Sequence, residues 1–129
     1  MAFDPDRLDD DVLGFLRERH LATLTTLRPD GSPHVVPVGF AYDPSERVVR
    51  IISGDGSRKV AHVDHGGRAA VCQVDGGRWL TLEGPAHVER DPDDVARAER
   101  AYAERYQAPR ERSDRVAIVI AVDRIMGRA

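Results

Sequence analysis

Short apolar or alternating runs, rich in β-branched residues, recur along the chain between turns built from Gly, Pro, Asp and Ser. This is the pattern of antiparallel strands. It predicts six strands: Leu21–Leu27, Pro33–Tyr42, Val48–Ile52, Arg68–Val74, Arg78–Val88 and Arg115–Ile125. The joining stretches Arg28-Pro29-Asp30-Gly31-Ser32, Asp43-Pro44-Ser45-Glu46 and Asp75-Gly76-Gly77 carry turn chemistry, with Pro fixing φ and Gly supplying positive φ. Helical spacing replaces alternation in three places. Asp4-Pro5 opens a helix with Leu8, Val12 and Phe15 on one face. Ser57 caps a short helix that stops at Gly66-Gly67, and Asp91-Pro92 starts a third with the stripe Val95, Ala98, Tyr102 and Tyr106. Most strand-to-strand connections are too short for a parallel crossover. The expected fold is therefore mainly β within the α+β class: a small closed or split antiparallel barrel with flanking helices, one domain over 1–129.

Particular strands carry more than a fold. In Pro33–Tyr42, Val36, Val38 and Phe40 make a bulky face, while Val35, Pro37, Gly39 and Ala41 make a small, flat one. Pro37 cannot donate to a ladder and asks for an edge, a bulge or a site. The flat face suits either a planar ring or a packed helix or subunit. Gly84-Pro85 in the middle of Arg78–Val88 predicts a bend. The last strand is apolar on both faces and must be covered twice, the second time by another subunit in so small a domain.

The stretch Val48–Val63 is where chemistry concentrates: a strand, the break Gly54-Asp55-Gly56, then Ser57, Arg58 and Lys59. Free backbone N–H groups and two cations at one point make a seat for a phosphate or carboxylate, although a capped surface helix with two solvated cations has the same sequence. Lys59 is the only lysine among 19 basic residues. Net charge is -3, which argues against a general nucleic-acid binder. No run reaches the ~20 apolar residues needed to span a bilayer, and no signal-peptide pattern opens the chain, so a cytosolic location is expected. The lone Cys72 lies in an apolar run and is expected to be a buried thiol. Of five histidines, His62 and His65 share a helix face but lack further ligands for a metal. No carboxylate pair or nucleophile motif stands out, so no catalytic side chain is assigned. Trp79, beside a turn on the non-core face, is expected at a subunit or flat-ligand contact.

The runs LATLTTLRPDGSPHVVPVGFAYD, VVRIISGDGSRK, AAVCQVDGGRWLTLEG and the closing strand resemble the flavin/deazaflavin oxidoreductase superfamily, whose best-known branch is pyridoxamine 5'-phosphate oxidase. Within it, RWLTLEG and the hairpin order are most similar to the actinobacterial F420-dependent biliverdin reductases. The resemblance implies a split β-barrel homodimer of the FMN-binding type, with FMN or coenzyme F420 in a groove between subunits. It also implies hydride transfer to a bilin, biliverdin to bilirubin. By position, Ser53, Ser57, Arg58 and Lys59 would hold the cofactor's phosphate and adjoining tail. Val36, Pro37 and Val38 would lie along the ring through backbone. Gln73, Arg78 and Trp79 would approach from the second subunit. The sparse basic cluster favours F420 over FMN. An FMN-dependent oxidase or reductase and a non-catalytic F420 or tetrapyrrole binder are the alternatives.

Overall fold

The structure is a computed structural model that describes residues 1–129. Its elements in chain order are β1 (Ala2–Phe3), α1 (Asp10–Arg17), β2 (Ala22–Leu27), β3 (Pro33–Val38), β4 (Ala41–Asp43), β5 (Val48–Gly54), α2 (Arg58–Asp64), β6 (Arg68–Asp75), β7 (Arg78–Glu89), α3 (Pro92–Arg105), β8 (Arg115–Ala121) and β9 (Arg124–Arg128). Every strand pair is antiparallel, and the order is β3-β2-β6-β7-β8-β5-β4, with β9 on β7 and β1 on β9. The sheet curls without closing.

The mainly-β expectation is met, but with nine strands rather than six. The expected Pro33–Tyr42 strand divides at Gly39-Phe40. Arg115–Ile125 divides at Val122-Asp123, where Val122 N–H donates to Arg47 O and Asp123 N–H to Glu83 O as the chain turns a corner. The two-residue β1 is the third addition. Pro37 sits on edge strand β3, where its missing N–H costs nothing. The strand β7 is the spine. Arg78–Pro85 pairs with β6 along one edge, while the other edge serves β9 up to Glu83 and β8 from Ala86. The change of partner falls at Gly84-Pro85, the predicted bend.

The first helix begins later than its spacing suggested. Asp4-Pro5 makes a turn, with Arg7 N–H on Asp4 O, and the cap is Asp9, whose carboxylate accepts from Val12 N–H at 2.9 Å. Several aspartates precede the apolar stripe, and only Asp9 stands at the required offset. Val12, Phe15 and Leu16 are then buried in the core that the curled sheet encloses.

Inside lie Leu24, Phe40, Val49, Ile51, Leu80, Leu82, Ile118, Ile120 and Ile125, each at most 1% exposed. Truncating one of these to Ala costs about 2–5 kcal/mol. The doubly apolar β8 needs no second subunit: Val116, Ile118 and Ile120 face the core, and α3 packs over Ala117 and Val119, both fully or nearly fully buried. That cover replaces the subunit contact expected there. Beneath α3 the side chain of Arg50 is 6% exposed, paired with Asp43 at 3.0 Å and with Glu46. Burial pushes the Asp43 carboxyl up, but Ser45, Arg50 and the N–H groups of Glu46 and Ser45 outweigh it and hold it at about 2. No helix is long and apolar enough to cross a membrane.

Candidate cofactor groove

Strand β5 delivers Ser53 to a tight turn, and α2 begins at once. Ser57 stands at the N-cap position, but its hydroxyl does not cap the helix; it lies 3.0 Å from the Ser53 hydroxyl. The two hydroxyls and Lys59 line a cavity of about 520 Å³ together with Ile52, Gly54, Gly56, Arg112 and Asp114. A second cavity of about 670 Å³ shares Ile52, Lys59 and Arg112 with it. It runs past Pro37, Val38 and Gly39 to Tyr102 and the loop 107–112. The two form one groove, with a hydroxyl-and-cation end and a flat end.

Lys59 is half-buried here and makes no ion pair, whereas Arg112 is held by Asp114 and Arg115 by Glu99. Burial pushes the Lys59 ammonium down, and the Arg112 charge adds to it. A desolvated, unpaired cation facing a polar cavity is a fit for an anionic group. The flat end meets two aromatic rings. Gly39 lies so close to Tyr102 and Tyr106 that an added Cβ would stand 3.1 Å from each. Tyr106 is fixed by its hydroxyl, which donates to His20 O at 2.6 Å and accepts from Phe40 N–H at 3.2 Å.

Of the residues singled out from the sequence, Pro37, Val38, Ser53, Ser57 and Lys59 come together in this groove. Val36 and Val38 turn their side chains inward, while Pro33, Val35 and Pro37 face outward, so at Val36 and Val38 only the backbone is offered to a ligand. Arg58 is exposed and lines neither cavity. Gln73 is a correction. It is 0% exposed, donates to Phe15 O at 2.8 Å and accepts from Arg105, so its side chain braces α1 and α3 and is not offered at the surface of this chain. Arg78 and Trp79 line neither cavity of their own chain. Arg78 lies 4.3 Å from the Phe15 ring centroid and pairs with Glu18 and Asp75. Arg78 first, then His20, hold the Glu18 carboxyl down to about 2. Glu18, His20 and Asp75 cluster closely enough to suggest a metal, but both carboxylates already serve Arg78. His62 and His65 do not converge: His62 Nδ1 is 2.9 Å from Thr26 Oγ1, its ring stands edge-on to His34, and His65 is exposed.

Sequence reading missed Arg112 and Tyr102. The first lay in a stretch read only as a polar loop, though Arg110, Arg112 and Arg115 within six positions were the available signal. The second was counted in an apolar stripe.

Residues 8–128 match the family described as pyridoxamine 5'-phosphate oxidase. The chain belongs to that family. It is also 53% identical over 123 residues to an F420H(2)-dependent biliverdin reductase of Mycobacterium tuberculosis (strain CDC 1551 / Oshkosh), covering 95% of this chain and 90% of that protein. The fold is shared with a conserved hypothetical protein from Mycobacterium tuberculosis, TM-score 0.79 at 21% identity, covering 94% of this chain and 84% of that one. It is shared too with a structure named F420 reductase, TM-score 0.75 at 24% identity, covering 92% of this chain and 98% of that one.

Proposed function

We propose that this protein is an F420H2-dependent reductase that passes a hydride to a bilin, converting biliverdin to bilirubin in the cytoplasm. The observation that carries the reading is the 53% identity, over 95% of the chain, to an F420H(2)-dependent biliverdin reductase. The groove supports it: a hydroxyl-and-cation end for the phosphate, and beside it an edge strand for a planar ring.

Reduced F420, when bound, supplies the hydride. The chain's part is to bind and orient. Lys59 and the hydroxyls of Ser53 and Ser57 hold the phosphate, and Arg58, exposed on the solvent side, is placed for the outer tail. Because β3 is an edge strand, part of its backbone N–H and C=O groups has no strand partner, which suits Val36, Pro37 and Val38 to holding the ring through main chain. Gly39 keeps the strand flat against Tyr102 and Tyr106.

The functional unit in this reading is a homodimer. The outer face of β2, β3, β6 and β7 exposes Leu21, Val35 and Val74, each more than half accessible, around Trp79 and the small Ala70, Cys72 and Thr23. Such a patch of exposed apolar side chains fits a second copy. It would bring the partner's Arg78 and Trp79 toward the groove, where a guanidinium can pair with a propionate.

The test is fluorescence titration with F420 and with FMN, followed by anaerobic mixing of protein, F420H2 and biliverdin. Expected are preference for F420, stoichiometric bleaching of biliverdin, and more than tenfold weaker F420 binding in Lys59→Ala with an unchanged melting curve. FMN preference, or binding without turnover, would overturn the reading.

A further inference from the structure

We infer that Arg112, carried by the loop between α3 and β8, is the second cation of the groove and makes it select a ligand with an extended anionic tail over the same ring without one. The inference rests on the reading of the groove as the F420 site.

Arg112 and Lys59 reach both cavities from different elements, the loop and α2. The guanidinium is laid on the backbone of Gly54: a Cβ there would stand 2.7 Å from Arg112 Cζ. Its place is fixed from one side only. Arg112 Nε donates to Asp114 Oδ1 and Nη2 to Asp114 Oδ2 at 3.2 Å, while Nη1 has no protein acceptor. Asp114 is itself anchored, its carbonyl accepting from Asp55 N–H at 2.9 Å. The result is a fork oriented by a carboxylate, with a free edge beside an unpaired lysine. Glu111 and Asp114 also line the groove, yet neither pairs with Lys59, whose ammonium is pushed down by burial and then by Arg112. Two like charges held together in a polar cleft are relieved by an anion that lies between them. Lys59 with the two serine hydroxyls accounts for one phosphate; Arg112, on the far side, serves the charge that follows it.

The experiment compares dissociation constants for F420 and for its deazaflavin–ribityl fragment, which lacks the phosphodiester and the carboxylate tail. The proteins are the wild type, Arg112→Ala and Gly54→Ala. The second variant displaces the flexible guanidinium without removing its charge. Both are expected to weaken F420 binding by about tenfold, to flatten its salt dependence and to leave the fragment's affinity unchanged. Unchanged F420 affinity in both variants, with the Lys59→Ala loss retained, would overturn the role of Arg112 and leave the proposed function standing. Equal losses for F420 and the fragment would also overturn it, as a structural effect. A wild type that binds neither compound would remove both the inference and the reading beneath it.

Discussion

Gly84 lies against the backbone of Ala121, so close that a Cβ added to it would overlap the Ala121 carbonyl, with the carbonyl carbon 2.8 Å away and Asp123 N 3.2 Å away. At this point β7 leaves β9 and takes up β8, and the two backbones pass without a side chain between them. The obstacle is main chain and cannot swing aside. Gly84→Ala is expected to lower the melting temperature by about 10 °C or more, whereas Gly56→Ala, with open space around it, shifts it little. Thermal unfolding by circular dichroism measures both. Equal, small shifts would show that the crossing can open.

Gln73 links two helices to the sheet. It is buried at the middle of the network Phe15–Gln73–Arg105, and Arg105 continues to Phe40 O at 2.6 Å and Glu18 O at 2.8 Å. Arg105 is partly buried and answers to carbonyls rather than to a carboxylate, so each acceptor counts. Gln73→Ala leaves a cavity and an unmet guanidinium hydrogen, for a loss of about 2–4 kcal/mol. Chemical denaturation is expected to report that loss while F420 affinity of the folded fraction stays within about twofold. A specific loss of F420 affinity at full stability would restore the ligand role first expected for Gln73.

Those two sites mark how far the sequence could be read. Turn glycines, β-branched runs and the Gly84-Pro85 break are local signals, and the strands follow them closely. The hydroxyl-and-cation end of the groove was legible because Ser53, Ser57 and Lys59 fall within seven positions of one strand–turn–helix unit. What alternation does not report is the identity of the cover. The outer face of β8 needed burial, and α3 supplies it, so no subunit contact is needed there; the proposed dimer uses the exposed side of Val35 and Val74 instead. The bracing role of Gln73 and the place of Arg112 escaped the sequence for a related reason. Their partners lie 32 to 58 positions away for Gln73, and Arg112 meets Gly54 only after β8 pairs with β5. Long-range register decides both, and no local window contains it.

His34 gives the fold a pH dependence distinct from its carboxylates. Its Nδ1 is buried without a partner. Burial, then the charges of His62, Arg28, Arg58 and Lys59, push it below the ordinary value of 6.5. The unfolded chain therefore takes up a proton more readily than the folded one. Stability is fully present above about pH 6.5, falls as pH drops through that value, and levels off below the folded-state pKa. Glu18 and Asp43, both held near 2, do not titrate in that window. Urea unfolding at about pH 7.5 and about pH 5.5 is expected to show a loss in the wild type that His34→Gln reduces. Parallel losses in the two proteins would remove His34 as the cause.

Val74 tests the dimer. It is 60% exposed and pairs across the ladder with Trp79, next to Arg78. A standard interface buries about 800 Å² per partner, and a carboxylate placed on the apolar surface it covers opposes association because it would be desolvated without a partner. Light scattering on a sizing column is expected to give twice the chain mass of 14.3 kDa for the wild type and the single mass for Val74→Glu, with little change in the circular dichroism spectrum. The monomer should also bind F420 more weakly, since the partner's Arg78 and Trp79 are then absent from the groove. A monomeric wild type, or a variant that still dimerises and binds normally, would place the second copy elsewhere or dispense with it. In the latter case Arg78 would be left as a brace between Glu18 and Asp75, with no part in recognising the bilin.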